Sequence, residues 1–99
     1  MQLFMIRRRT AWQTPEELGA TAERSKQVAE DEFPDDIRWI RSYVVSESNG
    51  ALGTVCIYEA ASEQAVRDHA AKVEMPADEV LAVADTVVVR PDPEPAAAA

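Results

Sequence analysis

His69 is the only histidine of the chain, and it is the side chain with the widest chemical scope. The spacing of Val66, His69, Ala70 and Val73 places it on or beside the apolar stripe of a predicted helix. An imidazole there can bind a metal, act as an acid or base, or hydrogen-bond inside a core. Together with Glu59, Asp68 and water it would form a mixed site suited to nickel or another metal that accepts imidazole. His69 and Glu59 are therefore the candidate metal ligands, whereas one Cys and one His do not suffice for a closed zinc site.

A second group of side chains could bind a small anion. Alternation along the predicted strands places two arginines among aromatic rings on one face of a sheet; the set is Arg7, Trp39, Arg41, Tyr43, Cys56 and Tyr58. Arginine stacks on aromatic rings, and its planar fork matches carboxylate or phosphate. Such a half-enclosed cleft predicts an anion site, in which His69 could serve as a general base. Packing at a dimer interface explains the same residue types. The consecutive Arg7, Arg8 and Arg9 alternate faces, so we predict no basic patch there.

The sequence contains no recognised nucleophile-and-base, paired-carboxylate or phosphate-loop motif. With three glycines in the chain, a nucleotide-binding loop is not expected. We therefore assign no catalytic and no cofactor-binding residue, and a binding role is favoured over an enzymatic one.

Composition indicates a single small globular domain. The 99 residues are 46% hydrophobic and 28% charged, with a net charge of -8 that argues against partners such as nucleic acid and anionic membranes. Lone Cys56 excludes an intrachain disulfide and is expected to be a buried small hydrophobe. No apolar run is long enough to span a bilayer, and the N-terminal charges follow the apolar stretch, the reverse of a secretory signal. A cytoplasmic protein is expected.

The periodicity predicts the order β-α-β-β-α-β. The predicted strands are 2–9, 37–45, 52–59 and 80–89, the last bent near Asp85. The predicted helices begin after the caps Thr14 and Ser62, and the first has a capping box completed by Glu17. This order predicts an α+β, ferredoxin-like fold, a four-stranded antiparallel sheet with two helices on one face. The domain should span 1–90, followed by a disordered Pro- and Ala-rich tail over 91–99.

The more aliphatic parity of each strand is expected to face the helices. The predicted core residues are Phe4, Ile6, Ile40, Val44, Val55 and Ile57, which leaves the arginine and aromatic set on the open face. An apolar open face in so small a protein is usually covered by a second subunit, so a homodimer is expected.

Three segments resemble a family of small bacterial nickel-binding-protein-like proteins, otherwise a domain of unknown function. They are 37–44 (Ile-Arg-Trp-Ile-Arg-Ser-Tyr-Val), 56–60 (Cys-Ile-Tyr-Glu-Ala) and 65–70 (Ala-Val-Arg-Asp-His-Ala), together with Pro76, Ala77 and Asp78. The resemblance spans Leu3 to Val89 and implies a ferredoxin-like fold, a homodimer and, in at least one member, nickel binding. Tyr43, Cys56, Glu59 and His69 match the family pattern.

The departures from the family concern charge. Relatives often carry an acidic residue where this chain has Arg7 and a histidine where it has Arg41. Two guanidinium groups repel a divalent cation and attract an anion. The sequence thus supports two hypotheses of ligand binding, a divalent metal at His69 and Glu59 or a small anion at Arg7 and Arg41. In a third, these residues serve dimer assembly.

Overall fold

The predicted ferredoxin-like α+β fold is confirmed. The computed structural model describes residues 1–95. Its elements are β1 (Gln2–Trp12), α1 (Pro15–Glu32), β2 (Ile37–Ser46), β3 (Leu52–Ala60), α2 (Glu63–Val73) and β4 (Glu79–Ala82). The strands form one antiparallel sheet in the order β2-β3-β1-β4, and both helices contribute to the core on one face of it.

Both helices begin at the predicted caps. The Thr14 hydroxyl accepts from the Glu17 amide at 3.1 Å, and the Glu17 carboxylate accepts from the Gln13 amide at 2.7 Å. Pro15 takes the first helical position, where its missing N–H costs nothing. At α2, the Ser62 hydroxyl accepts from the Ala65 amide at 3.1 Å. Local sequence signals therefore fix where the helices start.

The predicted facing of the strands was wrong for β3 and for Trp39 of β2. Ile6 pairs with Cys56, and Phe4 pairs with Tyr58, so these four residues share the helix-covered face. The side chains of Val55 and Ile57, predicted as core, belong to the open face and are half-buried. The core cluster consists of Phe4, Ile6, Ile37, Cys56, Tyr58, Ala60, Val66 and Val80. Counting aliphatic residues failed because Tyr58 fills the space beneath both helices, where its hydroxyl lies 3.3 Å from the Ser25 hydroxyl.

An irregularity in β2 explains why Trp39, predicted on the open face, lies on the helix side. Trp39 pairs with Tyr58 and Arg41 pairs with Ile57, so Ile40 is an extra residue on this strand. Such a bulge reverses the parity of the residues that come after it in the strand. Val44 pairs with Thr54 and so faces the helix side as predicted, but it is 55% exposed, and Ile40 is 41% exposed, so neither belongs to the core as predicted.

The fourth strand is shorter than the predicted span 80–89. β4 ends at Ala82, and the Val83 amide makes the last backbone bond of this segment to the sheet, 2.9 Å from the Leu3 carbonyl oxygen, among the residues described. The following segment returns toward β2, where Asp92 contacts Arg41 and Tyr43. Of the predicted disordered tail 91–99, residues 91–95 have no regular secondary structure, and residues 96–99 lie outside the described part. None of the described helices is long and apolar enough to cross a membrane.

Candidate ligand-binding site

His69 is fully buried at the contact between the two helices. Its Nε2 donates to the Ser25 carbonyl oxygen at 3.0 Å, and its ring packs against those of Phe33 and Tyr58, each with centroids 5.8 Å away. Nδ1 is buried without a partner among the described residues. Burial lowers the pKa of His69, and the positive charge of Arg8 lowers it further. The hydrogen bond to the Ser25 carbonyl acts in the opposite direction and raises this pKa. The imidazole is therefore neutral at pH 7.

The structure does not bring His69 and Glu59 together. Glu59 alternates with the buried Tyr58 and Ala60 on β3, which places it on the open face, where it pairs with Arg38 at 3.2 Å. Asp68 is exposed and accepts from the Gln64 amide at 2.8 Å. Across residues 1–95, no group of three or more His, Cys, Asp or Glu side chains could hold a metal ion. The residues of one protomer therefore do not form the expected mixed metal site.

The six residues of the predicted anion cleft divide between the two faces of the sheet. Arg7, Arg41 and Tyr43 lie on the open face, whereas Trp39, Cys56 and Tyr58 lie on the helix side. Cys56 is buried as expected and donates to the Thr54 hydroxyl at 3.3 Å. Four of the six, Trp39, Arg41, Cys56 and Tyr58, nevertheless line one cavity, and Arg7 and Tyr43 are not part of its lining.

Both candidate anion-binding arginines are occupied by groups of their own chain. Arg7 Nη2 contacts the two carboxylate oxygens of Glu47 at 2.8 and 3.1 Å, and Nη1 donates to the carbonyls of Arg8 and Thr54. Arg41 Nη1 lies 3.0 Å from an Asp92 carboxylate oxygen that also accepts from the Tyr43 hydroxyl at 2.8 Å. An anion would have to displace these carboxylates.

A cavity of about 460 Å³, which we call the helix-side cavity, lies between α1 and the sheet. Small residues of α1 at helical spacing form one wall: Gly19, Ala22 and Ser25. The sheet supplies larger groups, and the lining includes Arg8, Trp12, Leu18, Trp39, Ile40, Ser42, Thr54, Cys56, Tyr58 and Met75. The cavity combines apolar walls with a few polar groups, as small-molecule sites do. Both tryptophans of the chain line it.

Arg8 is the charged residue of the cavity that the sequence patterns did not single out. It is 1% exposed, its Nη1 donates to the Pro76 carbonyl at 2.8 Å, and its Nη2 has no partner among the described residues. Its guanidinium carbon lies 5.9 Å from the centroid of the Tyr58 ring. The alternation that argued against a basic patch also placed Arg8 in the same parity as Phe4 and Ile6. Because Phe4 and Ile6 were predicted to face the core, this alternation could have indicated from the sequence that Arg8 is buried.

Tyr58 joins the cavity to the core. Burial raises its pKa, while its contact with Ser25 and the charge of Arg8 act in the opposite direction. The phenol therefore stays protonated at neutral pH and can donate a hydrogen bond.

These features define a small ferredoxin-like α+β protein with a ligand-sized cavity between its two layers. Residues 4–83 match the family described as nickel responsive protein, SCO4226-like, and the chain belongs to this family. The crystal structure of SCO4226 from Streptomyces coelicolor A3(2) is similar in fold, with a TM-score of 0.70 and 21% identity over 86% of this chain and 99% of that one. No curated protein matches the sequence.

Proposed function

We propose that the protein is a small binding protein that holds an organic ligand in the helix-side cavity. The main support for this proposal is the cavity itself, whose volume of about 460 Å³ is within the range of ligand pockets. Its walls combine Trp12, Leu18 and Ile40 with the polar Ser42 and Thr54. Burial of a ligand's apolar surface there would supply the binding free energy.

The neutral fluorophore N-phenyl-1-naphthylamine tests this proposal, because its emission rises in apolar surroundings. Energy transfer from Trp12 and Trp39 should sensitise that emission, since both line the cavity. Ala22→Phe places a ring in the cavity and should abolish the transferred emission. Ala20→Phe adds the same ring at an exposed position of α1 and should leave the emission unchanged. Equal binding by both variants would place the probe elsewhere and reject the proposal.

Nickel binding is the second candidate, and the name of the family favours it. The unpartnered Nδ1 of His69 is a buried donor nitrogen, but the described residues of one protomer gather no further ligands around it. Isothermal titration of chelator-stripped protein with nickel tests this candidate, with His69→Gln as the variant and Gln64→Ala as the surface control. Binding that His69→Gln removes and Gln64→Ala preserves would support a site at His69. No heat of binding in the wild type would reject the candidate.

We also propose that the protein works as a cytoplasmic homodimer. Exposed apolar side chains support the dimer: Leu81 at 50%, Val87 at 86%, Val88 at 73% and Val89 at 84%. Exposed apolar residues grouped in one segment, as Val87 to Val89 are, commonly mark a protein interface. A second copy of the chain would cover Val87 to Val89 and part of the open sheet face.

A further inference from the structure

We propose that the ligand of the helix-side cavity is an organic anion, a carboxylate on an apolar body, with Arg8 as its cationic partner. This inference rests on the ligand binding proposed above and adds the chemical class of the ligand. It concerns Arg8 rather than Arg7 and Arg41, whose guanidinium groups are already paired.

Arg8 is a buried cation without a counter-ion in the described chain. The neighbouring arginines have one each, because Arg7 pairs with Glu47 at 2.8 Å and Arg9 pairs with Glu79 at 2.6 Å. The Arg8 side chain donates one hydrogen bond among the described residues, to the neutral Pro76 carbonyl, and its Nη2 is left unpaired. A buried ion without a counter-ion is destabilised by the loss of its hydration. A bound anion would offset that cost, whereas a neutral ligand would not.

The charges around the cavity favour an anion over a cation. No Asp or Glu is among the described residues that line it. Arg41 is the second arginine in the lining, and its guanidinium already forms an ion pair with Asp92. The whole chain carries a net charge of -8 and repels anions at long range. Selection of an anion must therefore come from the local charge of Arg8.

The apolar walls indicate that the anion has an organic body. Inorganic phosphate or sulfate would leave Trp12, Leu18 and Met75 without contacts, whereas a phenyl or alkyl group would cover them. Nη2 of Arg8 is shielded from solvent, so binding includes a small turn of the guanidinium toward the cavity.

Calorimetric titration with 4-phenylbutyrate and its neutral amide, 4-phenylbutanamide, tests the inference on the wild-type protein. The two probes share a body and differ in charge. A charge-assisted hydrogen bond to Arg8 should make the anion bind about ten-fold tighter or more. Equal affinity for the two probes would overturn the anion class and leave ligand binding in the cavity standing. Binding of neither probe, together with no sensitised naphthylamine emission, would reject both proposals.

Variants identify the arginine responsible. Arg8→Met retains an unbranched, flexible side chain, two atoms shorter than arginine, and removes the charge, so it should bind both probes with affinities within about two-fold of each other. Arg9→Met removes a charge from the next, exposed residue and should retain the preference for the anion. A preference that persists in Arg8→Met would overturn the role of Arg8. If Arg8→Met fails to fold, the comparison of the two probes on the wild type still decides the class of ligand.

Discussion

Among single residues, Gly53 marks a place where the chain approaches itself closely. A Cβ atom there would lie 2.5 Å from the Arg8 carbonyl oxygen and 2.8 Å from Nη1 of Arg7. The Arg7 side chain crosses this point to reach Glu47 and the carbonyls beneath it. Glycine is therefore required by the packing of Arg7, although Gly53 has an ordinary strand backbone.

We expect Gly53→Ala to lower the free energy of unfolding by about 1–3 kcal/mol, because the added methyl group meets backbone that cannot move. Gly19→Ala is the matched control. Its Cβ meets nothing within 4 Å, and alanine favours the helix, so stability should rise by about 0.5–1 kcal/mol. Urea unfolding of both variants measures these changes. Equal stability of Gly53→Ala and the wild type would contradict the close approach.

His69 should make stability depend on pH near neutrality. Burial lowers its pKa below the ordinary value of 6.5, so the unfolded chain takes up a proton that the folded chain resists. Stability contributed by His69 is complete above about pH 6.5 and is lost as the pH falls toward the folded-state pKa. His69→Gln should therefore lose less stability than the wild type between about pH 7 and pH 5.5. Parallel urea midpoints for the two proteins over this range would exclude a lowered pKa.

At the level of the secondary-structure elements, Glu47 connects the loop between β2 and β3 to β1 through hydrogen bonds. Its carboxylate accepts from the Thr10 amide at 2.9 Å and from Arg7 at 2.8 Å. Thr10 has a φ of 47°, in the left-handed region, at the irregularity where β1 leaves its regular register with β3. The contact of Glu47 with the Thr10 amide therefore supports a strained part of the strand.

Low pH should weaken the contacts of the Glu47 carboxylate with Thr10 and Arg7. The Thr10 amide, and next the Arg7 guanidinium, lower the pKa of Glu47 below its ordinary value of 4.5. The stabilisation is present above that ordinary value and is lost as the pH falls through the folded-state pKa. We expect Glu47→Gln to be less stable than the wild type at pH 7, with a smaller loss of stability between about pH 5 and pH 3. Thermal unfolding over this range measures both, and a variant as stable as the wild type at pH 7 would show that the carboxylate adds nothing.

The sequence was sufficient to predict element order and helix starts, because these depend on local signals. Thr14, Pro15 and Ser62 act within one turn of helix and require no tertiary information. The facing of β2 depends on the bulge at Ile40, which arises only when this strand is paired with β3. The candidate site depends on contacts between residues that are farther apart in the sequence. Arg8 contacts Pro76 and Tyr58 only after the sheet has assembled.

For the whole molecule, the exposed segment Val87–Val89 predicts assembly. Sedimentation equilibrium should show a homodimer, because burial of these three side chains removes apolar surface from water. Val88→Asp should shift the equilibrium toward monomer, whereas Ser48→Asp, which adds the same charge in an exposed loop, should not. A wild-type protein that remains monomeric at high concentration would contradict the proposed assembly.

The two faces of the sheet therefore have separate proposed roles. The open face carries paired ions and the surface for assembly, while the helix side carries the cavity and its buried cation. The family's response to nickel does not by itself require a metal within the cavity, whose lining is apolar apart from hydroxyls, Cys56 and arginines.

The most direct test of the central claim is a crystal structure of the protein grown with 4-phenylbutyrate. We predict density for the phenyl ring between α1 and the sheet, against Trp12 and Trp39, with the carboxylate within hydrogen-bonding distance of Arg8. Density on the open face beside Arg7 or Arg41, with the helix-side cavity filled only by water, would contradict the claim.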